Sequence, residues 1–322
     1  MESSEENLEI AKHRVLLTGA SGFIGSHVLR DLSERAGFEV HPLSRYKRGR
    51  EWLQADICNE DEIDALELSG YSEIVHCAGR AHIMRESDAN PLQSYRDVNV
   101  VPTARLARKA AESGVKRFIF ISSVKVNGES TVARGAFKET DKPAPEDAYS
   151  VSKMEAESVL LSIARETGLE VVIVRPVLVY GAGVKGNFRT LMKLASSRLP
   201  LPVAAFKNKR SLVGVDNVAD FIGVCIEHPG AANEVFLVSD GRDLSVSQLL
   251  CELSRAAGRP SFQFPFPLRL LEVTAQLFGK RAMFRRVAGS LEVDSSKARE
   301  LLHWQAPVSL SDGLKRCFKD ME

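Results

Sequence analysis

Through the first half of the chain, short unbroken apolar runs alternate with longer stretches in which apolar residues return every three or four positions. Arg14–Thr18 carries Val15-Leu16-Leu17, a run that suits a strand buried on both faces. Phe23 to Ala36 reads as a helix, Glu39–Leu43 as a short second strand, and a third strand is placed just before Asp56. Glu73–Cys77 and Arg117–Ser122, the latter with Phe118-Ile119-Phe120-Ile121, are two further strands. Between them Asn90–Ser113 is helical by pattern, with Gly114 as its stop. Tyr149–Thr167 is another long helix, stopped by Gly168, and Val171-Val172-Ile173-Val174 is a sixth strand. Repeated strand–helix alternation predicts an α/β fold with a doubly wound parallel sheet.

After Arg175-Pro176 the texture changes. Pro200, Pro202, Pro260, Pro265 and Pro267 break the chain into loops, with helices at Val218–Glu227, Ser245–Ala257 and Leu268–Phe278. This predicts a flexible acidic N-terminus at 1–12, a sheet domain at 13–180, and a smaller lobe at 181–322 interleaved with the end of the sheet. Two readings fit the apolar stripe of Leu268–Phe278. Packing against the lobe explains it; a membrane-surface helix flanked by Arg269, Lys280 and Arg281 is the alternative.

Composition narrows the function classes. A net charge of +1 over 322 residues gives no reason to expect a nucleic-acid partner. No apolar run approaches the roughly 20 residues of a membrane span, so no stable membrane insertion is expected. The start lacks the pattern of a signal peptide, and the five cysteines are scattered, as befits reduced thiols in the cytoplasm. The seven histidines form no i, i+4 pair beside acids, so no metal site is expected.

Two motifs carry chemistry. Gly19-Ala20-Ser21-Gly22-Phe23-Ile24-Gly25 places three glycines between the first strand and the first helix. Glycines let the backbone approach a pyrophosphate, and the helix start offers free N–H groups with a favourable dipole. The second strand ends in Ser44-Arg45, with Lys47 and Arg48 behind it and no acid. A cation there accommodates a ribose 2′-phosphate, which favours NADP(H), with NAD(H) as the alternative. Asp56, with Ile57, is placed at the adenine edge, and Cys77-Ala78-Gly79 lets the cofactor lie close to the fourth strand. In the second motif, Tyr149-Ser150-Val151-Ser152-Lys153, tyrosine and lysine share one helix face. An ammonium near the phenol lowers the tyrosine pKa and prepares it for proton exchange near neutral pH.

Together these motifs resemble the extended short-chain dehydrogenase/reductase family, in the branch of nucleotide-sugar 4-epimerases, dehydratases and 4-ketoreductases. The likeness runs from about Arg14 to Leu314. It also rests on His76–Gly79, Asn99, Ile121-Ser122-Ser123 and Arg175-Pro176-Val177-Leu178-Val179-Tyr180-Gly181. The resemblance implies a Rossmann-type sheet, a UDP-sugar substrate and a homodimer paired through the helices at Asn90–Ser113 and Tyr149–Thr167. It implies Tyr149 as acid/base, Lys153 on the nicotinamide ribose, Ser123 rather than Ser122 on the reacting oxygen, and Asn99 as a brace for the active-site helix. Pro176 would contact the cofactor. Asn187, Arg210 and the Arg281/Arg285/Arg286 cluster, Arg286 above all, would serve the nucleotide diphosphate. Asp294, Lys297 and Trp304 match the family's late helix and are read as packing.

Departures from the family pattern set the functional expectation. Ser123-Val124-Lys125-Val126-Asn127-Gly128 replaces the usual small residue and tyrosine, and resembles bacterial reductases of UDP-linked 6-deoxy-4-keto-hexosamines. In an extended chain Ser123, Lys125 and Asn127 would all point to substrate; otherwise Lys125 is solvated or pairs with Glu129 or Glu139. The absence of an acidic pair beside the catalytic hydroxyl argues against 4,6-dehydration. The leading reading is an NAD(P)H-dependent 4-ketoreductase of polysaccharide sugar biosynthesis. A UDP-hexose(amine) 4-epimerase with tightly bound NAD and a catalytically silent dinucleotide-binding protein are the alternatives.

Overall fold

Strand residues here alternate between two apolar layers, and that alternation builds the sheet. The computed structural model describes residues 12–81, 90–197, 199–279 and 281–319. The expected flexible terminus, apart from Lys12, lies outside them, as does Lys280. Seven parallel strands stand in the order β3-β2-β1-β4-β5-β6-β9. They are β1 (His13–Thr18), β2 (Phe38–Ser44), β3 (Leu53–Gln54), β4 (Glu73–His76), β5 (Arg117–Ile121), β6 (Glu170–Pro176) and β9 (Val235–Val238). Val15 and Leu17, Ile119 and Ile121, and Val172 and Val174 face one layer. Leu16, Phe118 and Phe120, and Val171 and Ile173 face the other.

The first layer is covered by α1 (Phe23–Ser33) and α7 (Val215–Glu227), the second by α4 (Val101–Glu112) and α5 (Ala148–Thr167), with the short α2 (Glu60–Asp64) and α3 (Pro91–Asn99) at its rim. The single helix expected at Asn90–Ser113 is two. Pro102 lacks an N–H to continue the ladder, and Val100 falls between α3 and α4 at φ −106°. Gly114 and Gly168 do adopt left-handed φ values of +80° and +79° just past α4 and α5.

The second lobe has its own small sheet. β7 (Leu178–Tyr180) runs parallel to β8 (Arg210–Gly214), and β10 (Asp243–Leu244) runs antiparallel to β8. α6 (Gly186–Ser196), α8 (Val246–Ala256) and α12 (Leu310–Lys319) bury Phe188, Leu249, Leu253 and Leu314 around Tyr180. α9 (Leu268–Leu277) and α10 (Arg281–Ala288) pack on the outer side of this core through Leu271, Phe284 and Ala288, and α11 (Ser296–Leu302) packs beside β9. Tyr180 donates to Asp240 at 2.7 Å, and Asp240 also accepts from Asn217 and Gly214 N. The late-helix residues pack: Trp304 donates to Asp220 at 2.7 Å, Lys297 to Glu234 at 2.6 Å, and Asp294 accepts from Ser296 N.

Candidate active site

A cleft of about 500 Å³ opens at the carboxyl ends of β1, β2 and β4. Gly19, Ser21, Gly22, Ser44, Arg45, Asp56, Ile57, Cys77, Ala78 and Gly79 all line it. Gly19 sits at φ +68°, and a Cβ there would fall 2.5 Å from Ala78 N. A Cβ on Gly25 would run into Gly19 O. Only glycine lets the loops after β1 and β4 close on each other in this way. Gly22 caps α1 without a side-chain hydrogen bond, so the first-turn N–H groups of Phe23, Ile24 and Gly25 are not used up by a capping side chain. A tight glycine cradle, an uncapped helix start and a cleft of this size fit a dinucleotide. Arg45 lies at the rim, its guanidinium 5.7 Å from the Tyr46 ring centroid. Pro176 ends β6, paired with Val238 of β9.

The second half of the site hangs on α5. Asp147 caps it, accepting from Ser150 N at 2.8 Å. Tyr149 then falls in the first turn, where its phenol hydrogen-bonds Ser123 at the end of β5. Lys153 is buried one turn on and donates to Ile121 O at 2.8 Å, with its ammonium 4.4 Å from the Phe120 ring centroid. Lys153 and Tyr149 are thus both tied to the end of β5, at Ile121 and at Ser123. Burial pushes the Tyr149 phenol up to about 12, against the pull of the Ser123 hydrogen bond. Burial pulls the Lys153 ammonium down to about 8. Asn99 donates to Ser152 of α5 at 3.0 Å and accepts from Arg80 N at 2.7 Å, joining α5 to the loop after β4. Ser122 points away and donates to Glu157, which also pairs with Arg175 in the core.

Two expected substrate contacts are corrected. The chain does not stay extended after Ser123 but makes one 3-10 turn at Val124–Val126, with the Ser123 hydroxyl accepting from Lys125 N at 3.2 Å. Lys125 consequently swings to Glu129 and Asp147, both at 2.7 Å. Asn127 is fully buried; it donates to Lys138 O and accepts from Arg175, both at 2.9 Å, and cannot reach a ligand. In the second lobe Asn187 is exposed in the first turn of α6. Arg210 donates to the backbone oxygens of Arg286 and Gly289, and Arg286 lies 3.9 Å from Glu129. Arg281 pairs loosely with Glu272, and the Arg285 side chain is outside those described. The sequence reading passed over Arg80, which also lines the cleft, and Tyr95, whose ring meets Tyr149 edge-on at 6.0 Å. Tyr95 stands one helical turn before Asn99, a spacing that signals a shared face.

Residues 15–239 match the NAD dependent epimerase/dehydratase family. A UDP-glucose 4-epimerase of Vibrio cholerae is 44% identical over 306 residues, covering 94% of this chain and 93% of that protein. The N-acetyl-alpha-D-glucosaminyl-diphospho-ditrans,octacis-undecaprenol 4-epimerase of Escherichia coli O157:H7 is 28% identical and covers 94% and 93%. The solved UDP-glucose 4-epimerase of Thermotoga maritima, with UDP-glucose, aligns at a TM-score of 0.76 and 27% identity over 96% of this chain and 100% of that one. With its glycine cradle and its Ser123–Tyr149 pair, this chain belongs to the NAD dependent epimerase/dehydratase family and is an NAD-dependent nucleotide-sugar enzyme.

Proposed function

We propose that the chain is a cytoplasmic enzyme that interconverts the C4 epimers of a UDP-linked hexose or hexosamine and keeps its NAD between turnovers. The observation that carries this reading is the 44% identity to the Vibrio cholerae UDP-glucose 4-epimerase across 94% of the chain. When bound, the nicotinamide supplies the hydride acceptor and donor that C4 inversion needs. Tyr149 holds the proton exchanged with the C4 oxygen, and Ser123 orients that oxygen and the phenol together. Lys153 binds the nicotinamide ribose, and Asn99 braces the helix that presents both Tyr149 and Lys153. Gly19, Gly22 and the start of α1 hold the pyrophosphate, and Arg210 and Arg286 serve the UDP diphosphate.

A second reading, reduction of a UDP-linked 6-deoxy-4-keto-hexosamine with NADPH, has its own support. With its pKa held at about 12, Tyr149 rests protonated, ready to donate to a ketone oxygen. Arg45 at the cleft rim suits a 2′-phosphate. One experiment separates the two. Purified protein is given UDP-glucose or UDP-N-acetylglucosamine with no added cofactor, and the products are resolved by NMR. Appearance of the galacto epimer, with NAD released on denaturation, supports epimerisation. No epimer, together with stoichiometric NADPH oxidation by a UDP-4-keto sugar, would replace it with the reductase reading.

A further inference from the structure

The outer edge of the second lobe carries an apolar surface that none of this chemistry uses. α9 buries no residue fully. Leu270, Val273 and Leu277 return at i, i+3 and i+7 and so share one face, which is exposed; Phe278, just beyond, is 79% exposed. Beside it, residues 199–204 run against 262–264 through Leu201 N to Phe262 O at 2.8 Å and Phe264 N to Leu201 O at 3.0 Å. That pairing sets out Leu199, Phe262 and Phe264, all exposed. Pro202, Val203, Leu271, Phe278 and Phe284 enclose an apolar cleft of about 400 Å³ between the two. Packing against the lobe therefore accounts for only part of the stripe, chiefly Leu271, which reaches the lobe core.

The charge around this surface indicates what covers it. Among the described residues between Arg255 and Ser290, Arg259 and Arg269 are exposed cations, Arg255 and Arg281 are exposed but paired with Glu252 and Glu272, and Glu272 is the one acid of the stretch. That acid is engaged, 3.5 Å from Arg281. Arg269 sits within α9 between exposed Leu268 and Leu270. A self-complementary contact with a second copy would bring these cations against each other. Leucine and phenylalanine side chains set among cations match instead the boundary between anionic headgroups and acyl chains.

We propose that α9 and the Leu199/Phe262/Phe264 edge seat this enzyme on the surface of an anionic lipid bilayer. The contact is peripheral: no helix among the described residues is long and apolar enough to cross a membrane. Flotation of the full chain with phosphatidylcholine vesicles containing roughly one-third phosphatidylglycerol tests it, against phosphatidylcholine alone. The protein should float only with the anionic vesicles, and less as salt rises. Leu277→Asp with Phe278→Asp, and separately Arg269→Glu, should each weaken partition by roughly tenfold or more while leaving NAD binding and turnover intact. Equal flotation with neutral vesicles, none with anionic ones, or variants that float like the wild type would overturn the proposal. So would light scattering that shows a dimer dissolved by the same double substitution, which would make a second copy the occupant.

Discussion

Lys153→Met is expected to make the free protein more stable while destroying its activity. The ammonium of Lys153 is buried, and burial lowers its pKa from 10.5 to about 8. Keeping that charge at neutral pH costs about 3.5 kcal/mol, at roughly 1.4 kcal/mol per pH unit of displacement. Methionine fills a similar volume without charge but gives up the 2.8 Å hydrogen bond from the ammonium to Ile121 O, worth roughly 1.5–3 kcal/mol. The net gain is about 0.5–2 kcal/mol, or roughly 1–3 °C in Tm for a chain of this length. The sign with pH is fixed by proton uptake. The unfolded lysine holds its proton up to 10.5 and the native one only to about 8, so wild-type stability rises across that window. The variant's advantage should be complete below about pH 8, vanish by roughly pH 9 and turn into a deficit above it, because the neutral lysine still keeps its hydrogen bond. Thermal unfolding of both proteins without cofactor, at pH 7 to 10, reads this directly. A variant less stable at pH 7, or a difference that does not change with pH, would refute the cost assigned to the buried ammonium.

Tyr149→Phe should keep NAD binding, read by fluorescence titration, and lose turnover by about 10²–10⁴-fold. Arg45→Ala should weaken NADPH more than NADH, by about 1–3 kcal/mol, in a titration with each cofactor; equal losses would remove Arg45 from the 2′-phosphate. Lys125→Met should leave kcat/KM within about twofold but cost about 1 kcal/mol of stability. Asp147 is half-buried, yet its bonds from Lys125 and Ser150 hold its carboxyl down to about 2, a stabilisation present at neutral pH and lost as pH falls through that value. Acid unfolding of Lys125→Met should therefore begin at higher pH than in the wild type. Light scattering at micromolar concentration should show a homodimer built on α4 and α5.

Much of the fold was legible because the sheet is buried on both faces. Runs such as Phe118-Ile119-Phe120-Ile121 have one reading, and Gly114 and Gly168 mark where helices must stop. The break at Val100 was overlooked although Pro102 announces it. β9 was not legible: four apolar residues, Val235 to Val238, gain their meaning from β6, about sixty positions earlier. In the site, residue identities and helix spacing placed Tyr149 and Lys153 on one face of α5. Where the ammonium goes depends on the carbonyl of Ile121 at the end of β5, which spacing within α5 cannot reveal. Val124-Lys125-Val126 alternates like a strand, yet Ser123 closes a turn by accepting from the Lys125 N–H, and that turn redirects Lys125 to two carboxylates.

The route of the chain between β6 and β9 also has a bearing on how the molecule can come apart. After β6 the polypeptide leaves for β7, α6 and β8, then returns through α7 to cover α1 and only afterwards adds β9 to the sheet edge. Gly223 of α7 is pressed so close to α1 that a Cβ would meet the Arg35 guanidinium at 2.5 Å, and Arg35 in turn pairs with Asp220. A cut near Tyr180 would strip the sheet of one edge strand and bare the apolar back of α1. Neither half is then an autonomous folding unit. Proteolytic nicking at that crossing should yield fragments that stay together or melt together, and the protein should unfold in one cooperative step that links the glycine-lined cleft to the second lobe.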